Sequence, residues 1–218
     1  MTMNVELYWS FRSPYSYLGA ARYRKIGEQY DVDIAVRPVY PIAIRTPDFF
    51  KKVNPLWLPY VVNDCKRIAD FNGLPFTYPS PDPVVMNNET RQISDDQPYI
   101  FRITRLGVEA ARRGRGLAFI DEVSMSIWGN GCVDWHKPEN LSGAAERAGL
   151  NLVDMEAAIE GKGEEIDAEI ATHQDALHSA GHWGVPCLVV GGEPFHGQDR
   201  IDIALWRMQE KGLKTRSE

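Results

Sequence analysis

The fold is decided by a stretch near the start of the chain, VELYWSFRSPYSYL at residues 5–18. Apolar side chains occupy every second position from 5 to 11, which is the period-two pattern of a β-strand. Ser13 is followed by Pro14, as expected of a helix N-cap with proline at the first helical position. The stretch therefore predicts a strand leading into a helix whose first residue carries a hydroxyl.

The two ends of the chain share mixed strand and helix signals. A second alternating run at residues 32–36 follows the first helix, so the chain opens as a parallel, right-handed β-α-β unit. Near the other end, a helical pattern stops at Gly181 and the runs CLVV and PFHG flank the turn Gly191-Gly192. A last helix is expected from about Asp199. The order predicts an α/β, thioredoxin-like fold.

The middle of the chain has a helical sequence pattern. Proline-rich turns separate segments of helical period, and no strand signal interrupts them. We therefore expect an inserted all-helical domain at residues 46–161. Residues 1–45 and 162–218 would form the first and second parts of the thioredoxin-like domain.

Composition excludes several classes of protein. The 218 residues carry a formal charge of −6, whereas nucleic-acid binding requires a surplus of Lys and Arg. No run approaches the roughly 20 apolar residues of a membrane span, and the start lacks a signal-peptide pattern. Three cysteines without a CxxC spacing predict neither a disulfide scaffold nor a cysteine zinc site, and favour a cytoplasmic location. His178 and His182 are separated by a glycine, so no metal site is expected.

Three motifs carry a resemblance to a known family. WSFRSPYSYL at residues 9–18, GVPCLVV at 184–190 and GQDR at 197–200 together resemble 2-hydroxychromene-2-carboxylate isomerases. These are relatives of kappa-class glutathione transferases in the DsbA-like superfamily. The resemblance implies glutathione as cofactor, a small-molecule substrate and, as in many family members, a possible homodimer.

Ser13 is the predicted catalytic and glutathione-binding residue. A helix N-terminus stabilises an anion, and a hydroxyl there can donate to a thiolate. Lowering a thiol pKa from about 8.5 by about two units requires ~2.7 kcal/mol. The helix dipole supplies about 0.3–2 kcal/mol and a hydrogen bond to a charged group about 1.5–3 kcal/mol. The two together suffice for a thiolate brought by a ligand. The alternative is that Ser13 is only an N-cap.

The resemblance assigns further glutathione contacts. It implies that the backbone of Val185, before a cis Pro186, pairs with the cysteinyl part of glutathione. Gln198, Asp199 and Arg200 open the last helix, where N–H groups would bind the γ-glutamyl carboxylate and the Asp199 carboxylate its ammonium. An N-cap role for Asp199 stays open.

Two departures from the family pattern surround these contacts. Asn54 matches a family asparagine and is a predicted glutathione or substrate contact, but the Pro-Arg-Lys segment that follows in relatives is Leu-Trp-Leu-Pro at residues 56–59. Lys51 or Lys52 are the candidates to replace the missing lysine. Cys187 stands where relatives often carry threonine, either near the thiol site or as a small buried residue.

The predicted function is isomerisation of an aromatic or conjugated organic acid with glutathione as nucleophile. The candidate walls of an aromatic substrate pocket, each of which could instead be a core residue, are Tyr40, Phe50, Trp57, Trp128 and Trp183. His196 is a further candidate substrate contact, with an ordinary strand position as its alternative. Two alternatives remain at this point. One is a kappa-like glutathione transferase or peroxidase, and the other is a non-catalytic DsbA-like binding protein.

Overall fold

The centre of the protein is a four-stranded sheet. The computed structural model describes residues 2–87, 89–129 and 131–216. The strands in sheet order β2-β1-β3-β4 are β1 (Met3–Trp9), β2 (Val32–Pro38), β3 (Cys187–Val190) and β4 (Glu193–His196). β1 and β2 are parallel, whereas β3 is antiparallel to both β1 and β4. The predicted β-α-β opening and the hairpin at Gly191-Gly192 are confirmed.

Helices surround this sheet and fill the chain between β2 and β3. Their bounds are α1 (Pro14–Gln29), α2 (Ile42–Arg45), α3 (Phe49–Lys52), α4 (Trp57–Asn72), α5 (Ile100–Arg112), α6 (Gly116–Ser124), α7 (Pro138–Arg147), α8 (Leu152–Ile159), α9 (Gly163–Ser179) and α10 (Ile201–Glu210). A π-helical turn extends α6 to Gly129, and a 3-10 turn at Gln198–Arg200 precedes α10. Sequence periodicity missed α2 and α3, because four residues are too few to show a helical period.

The ends of β1 and β2 and the start of β3 lie together at one edge of the sheet. Trp9 at the end of β1 pairs with Pro38 at the end of β2, and Tyr8 pairs with Cys187 at the start of β3. The loop after β1, the loop after β2 and the loop before β3 therefore meet at one edge of the sheet. Ser13 and Val185 lie in two of these loops.

Both faces of β1 are buried. Leu7 and Trp9 lie in the large core that the sheet shares with α1, α5 and α6. Tyr8 lies in a smaller cluster with Leu177 of α9 and Cys187 of β3. α9 covers the Tyr8 face of the sheet and excludes water from it. The helices of the middle segment thus share a continuous core with the sheet, while the limits of the inserted domain stay a prediction.

Candidate active site

Ser13 joins the first motif to the last third of the chain. It is the N-cap of α1, and its Oγ accepts the backbone N–H of Ser16 at 3.2 Å. The same hydroxyl donates to the backbone oxygen of Val185 at 3.2 Å, across 172 residues of sequence. Ser13 is half-buried. The structure therefore places a single hydroxyl donor between a helix N-terminus and the loop before β3.

The second serine of the motif has a different environment. Ser16 is fully buried in the first turn of α1, and its Oγ has no hydrogen-bond partner among the described residues. It does not share the contact that Ser13 makes with Val185. Ser16 therefore contributes to the packing through its small size.

The Val185-Pro186 loop has the geometry that the family resemblance implied. The peptide bond before Pro186 is cis, as is the bond between Ser80 and Pro81, which the sequence did not reveal. The backbone oxygen of Pro186 accepts the N–H of Gly197 at 2.8 Å. This bond ties the loop that faces Ser13 to the turn that begins the last helix.

The turn at Gln198–Arg200 presents a mixed surface. Gln198 is buried, and its backbone oxygen accepts a bond from Arg22 Nη1 at 3.2 Å. Asp199 and Arg200 are exposed and form an ion pair at 2.9 Å. Gly197 has a φ of +102° and lies under the Asp199 carboxylate, so a side chain there would be strained and crowded. The Asp199 carboxylate is thus held at the helix start with solvent on one side.

Two histidine rings lie against the other side of the loop. His182 and His196 stack with centroids 4.1 Å apart, and His182 Nδ1 accepts the N–H of Gly184 at 2.9 Å. Desolvation of the ring, followed by the neighbouring charge of His182, lowers the pKa of His196 to about 4. The side chain of His196 is exposed overall, but its Nε2 edge is pressed against Gly184. His182 was missed by sequence reasoning as a site residue.

Some of the predicted aromatic residues do come together. Trp57 and Trp183 are partly exposed, and both contact the ring of Phe49, with centroids 5.6 and 6.2 Å away. Beside Phe49, Phe50 has the guanidinium of Arg12 over its ring at 5.3 Å. Arg12 precedes Ser13, so this aromatic cluster of residues 49, 50, 57 and 183 borders the serine. The adjacent aromatic residues Phe49 and Phe50 were the sequence feature that could have indicated this cluster.

Arg12 itself is held in place by a carboxylate. Its Nε and Nη2 bond the two oxygens of Asp82 at 2.8 and 2.9 Å. The side chain of Arg12 is only 15% exposed, whereas that of Asp82 is 46% exposed. The bidentate pair therefore satisfies the arginine charge and fixes the residue that precedes Ser13.

Tyr40 and Trp128 were expected in the aromatic pocket but lie elsewhere. Tyr40 is buried against α5 and α9, and its hydroxyl donates to Asp167. Trp128 is buried, stacks on Phe76 and donates its Nε1–H to the backbone oxygen of Phe11 at 2.8 Å. Both aromatic rings fill the core, because the helices of the middle segment pack directly onto the sheet.

Asn54 and the nearby lysines are occupied locally. The Asn54 side-chain oxygen accepts the N–H of Leu56 at 2.9 Å, which closes an Asx turn before α4. Lys51 and Lys52 both pair with Asp48, at 3.3 and 3.6 Å. None of the three makes a described contact with Ser13 or Val185. A glutathione contact by Asn54 stays a prediction.

The cysteine thiols do not form a redox pair at the helix start. Cys187 is fully buried beside Tyr8, and burial raises the pKa of its thiol to about 12. Burial likewise raises the pKa of Cys65 to about 12, and Cys132 is partly exposed. Cys187 therefore packs as a small core residue, protonated at neutral pH.

The described residues form neither a metal-binding cluster nor a helix suited to crossing a membrane. Within residues 2–87, 89–129 and 131–216, no three His, Cys, Asp or Glu side chains are grouped as a metal would need. Over the same ranges, none of the helices combines the length and the apolarity of a membrane span.

Comparisons with known proteins agree with this arrangement. The model of a family described as the DSBA-like thioredoxin domain matches residues 4–209. The chain belongs to this DSBA-like family. A solved 2-hydroxychromene-2-carboxylate isomerase has a TM-score of 0.67 to it, with 22% identity and 96% of each chain covered. At that identity the structural likeness establishes the fold.

The relatives found by sequence carry the name of one enzyme, whereas the structural likeness gives only the fold. The 2-hydroxychromene-2-carboxylate isomerase of Pseudomonas putida is 25% identical over 207 residues, covering 91% of each chain. That of Sphingobium xenophagum is 25% identical over 210 residues, covering 93% of this chain and 96% of its own. A DSBA-like structure, the cytosolic disulfide reductase DsbM from Pseudomonas aeruginosa with GSH, has a TM-score of 0.61, with 14% identity and 96% and 100% coverage. The resemblance to the isomerase family that the three motifs predicted is confirmed.

Proposed function

We propose that this DSBA-like protein is a glutathione-dependent isomerase of an aromatic or conjugated organic acid. The observation that carries the proposal is the Ser13 hydroxyl, which faces Val185 of the cis-proline loop from the N-terminus of α1. Thioredoxin-like redox proteins place a thiol at this position, whereas here the helix N-terminus offers a donor and no sulfur. The sulfur would arrive with the ligand.

Three features of the site fit glutathione. The first turn of α1 stabilises an anion next to a hydroxyl donor. Val185 offers a backbone oxygen beside a cis proline, with which the backbone of a peptide can pair. The turn at Gln198–Arg200 offers N–H groups and the exposed Asp199 carboxylate to the α-amino acid end. GSH is also named with one solved DSBA-like neighbour, DsbM.

The hydroxyl of Ser13 must change partners for this function. It has one proton, which it now donates to the Val185 oxygen. When a thiolate binds, Ser13 would rotate to donate to the sulfur, and a ligand N–H would take over the Val185 oxygen. No buried acceptor is then left without a donor, so the exchange costs little. The charge of the thiolate makes the new bond the stronger of the two.

Bound glutathione would supply a nucleophile that adds reversibly to a conjugated carbon and leaves again. The residues of the chain bind glutathione and stabilise the negative charge of its thiolate. Ser13 donates to the sulfur, and the N-terminus of α1 adds its dipole. Phe49, Trp57 and Trp183 provide an apolar surface next to Arg12 and Ser13 on which an aromatic acid can lie.

Turnover with 2-hydroxychromene-2-carboxylate tests the proposal. The curated relatives are named for this acid, so the ring-opened isomer is the expected product. We expect isomerisation only when glutathione is present, with all of the free thiol recovered afterwards. Net loss of glutathione would instead identify a transferase. Isomerisation at full rate without glutathione, or binding of the acid without any reaction, would contradict the proposal.

A further inference from the structure

A cavity lies beside the aromatic cluster, between α2 and α9. Its volume is about 410 Å³, which is in the usual range for a small-molecule site. Phe49 and Trp183 of the aromatic cluster form part of its lining. Trp183 lies two residues before Val185, whose backbone oxygen accepts the Ser13 hydroxyl. The cavity therefore adjoins the proposed thiol site through a shared aromatic wall.

Arg45 presents an uncompensated charge to this cavity. Its Nε donates to the backbone oxygen of Tyr40 at 2.7 Å, which fixes the guanidinium plane. Its two Nη groups make no hydrogen bond or ion pair with the residues that the structure describes. The side chain is half-buried, and burial lowers the pKa of the guanidinium. A bound anion would offset this cost of desolvation.

Gln174 adds a neutral donor from the opposite wall. Its Oε1 accepts the backbone N–H of Tyr40 at 3.2 Å, which sets the orientation of the amide. The Nε2 group then points away from this bond and has no partner within the described ranges. The backbone of Tyr40 thus positions Arg45 with its oxygen and Gln174 with its N–H. The backbone of Tyr40, rather than the ring expected from the sequence, organises this site.

The remaining charged groups lie toward solvent. Asp175 and His178 of α9 also line the cavity, and both are exposed. No ion pair joins Asp175 to Arg45 in the described part of the chain. Arg45 and Gln174 are the half-buried polar groups of the lining, and both offer donors. The protected part of the cavity is therefore matched to an acceptor with negative charge.

We propose that this cavity is the subsite for an aromatic carboxylic acid. The carboxylate accepts from Arg45 and Gln174, and the ring lies against Phe49 and Trp183. Arginine binds carboxylates in a bidentate way, and a guanidinium beside an aromatic wall suits a flat acid. The inference rests on the proposed function, because the same acid would be the substrate presented to the thiolate near Ser13.

Calorimetric titration with chromone-2-carboxylate in the absence of glutathione tests this assignment. We expect the acid to bind the wild type and to bind Arg45→Gln at least about tenfold more weakly, since a hydrogen bond to a charged group is lost. The neutral methyl ester should bind the wild type as weakly as the acid binds the variant. The Lys137→Gln variant is the matched control, because it removes an exposed cation that pairs with Asp134 outside the cavity.

Glutathione titration separates this inference from the proposed function. We expect equal glutathione affinity in the wild type and Arg45→Gln, together with thiolate absorbance in both. An unchanged affinity for the acid in a folded Arg45→Gln variant would overturn the assignment, as would the absence of acid binding to the wild type. Loss of glutathione affinity in the variant would also overturn it, because the carboxylate held by Arg45 would then belong to glutathione.

A second variant covers the case in which Arg45→Gln does not fold. Trp183→Leu changes a side chain that is 48% exposed, so it should preserve the fold. Removal of the aromatic wall should weaken acid binding by about threefold to tenfold. Unchanged acid binding in Trp183→Leu would place the ring elsewhere and contradict the proposal.

Discussion

Replacement of Gly184 by alanine should strain the loop that faces Ser13. A Cβ at this position would lie 2.5 Å from Nε2 of His196 and 3.0 Å from Cε1 of His182, well inside van der Waals contact. His196 is exposed, so its ring can swing out and give up the stack with His182. Crowding and the lost aromatic contact together should lower the free energy of unfolding by about 1–2 kcal/mol.

A double-mutant cycle measured by urea unfolding gives the decisive comparison. In the background of His196→Ala the closest ring is absent and only the contact with Cε1 of His182 at 3.0 Å remains, so Gly184→Ala should be close to neutral there. The coupling between the two positions should therefore be about 1–2 kcal/mol. Additive effects of the two substitutions would show that Gly184 and His196 do not meet, and would refute the packing of this loop.

Three further outcomes follow from the same geometry. The pKa of His196 is lowered from 6.5 to about 4, so the unfolded chain binds a proton at a higher pH than the folded protein does. The free energy of unfolding should therefore fall as the pH drops from about 6.5 to 4, and the urea midpoints of His196→Asn should show a smaller fall. An unchanged fall in this variant would contradict the buried, stacked position of the ring. Iodoacetamide at mildly alkaline pH should modify Cys132 in the folded protein, whereas Cys65 and Cys187 should react only after unfolding. Mass spectrometry identifies the modified cysteine, and modification of Cys187 in the folded protein would contradict its burial. Asn54→Ala should lower the free energy of unfolding by about 0.5–1 kcal/mol because the Asx-turn hydrogen bond to Leu56 is lost, while Asn54→Asp should retain it. Equal stability of the alanine variant and wild type would contradict a stabilising role for this turn.

Local sequence signals predicted the elements that position Ser13. The alternation before residue 11, the Ser13-Pro14 pair and the hairpin glycines each specify a backbone conformation over a few residues. Such signals need no knowledge of the rest of the chain. The link between Ser13 and Val185 came from the family resemblance, since nothing in residues 172 positions apart indicates that they touch.

Long-range packing accounts for what the sequence did not reveal. Tyr40 and Trp128 have aromatic side chains suited to a pocket, but they are buried because α5 and α9 pack over Tyr40 and Phe76 stacks on Trp128. Arg45 and Gln174 belong to no sequence motif, because they lie on different helices and are oriented by the N–H and the C=O of Tyr40. Functional residues defined by tertiary contacts of this kind are not visible in a linear pattern.

The central claim is that Ser13 stabilises a ligand thiolate, and the pKa of the bound glutathione thiol tests it most directly. Ultraviolet absorbance of the thiolate across a pH series should give a value about two units below the ordinary 8.5 in the wild type. Ser13→Ala should raise it by about one unit or more, while Asn151→Ala, which removes the N-cap of α8, should leave it unchanged. A bound thiol with the same pKa in the wild type and Ser13→Ala would contradict the claim.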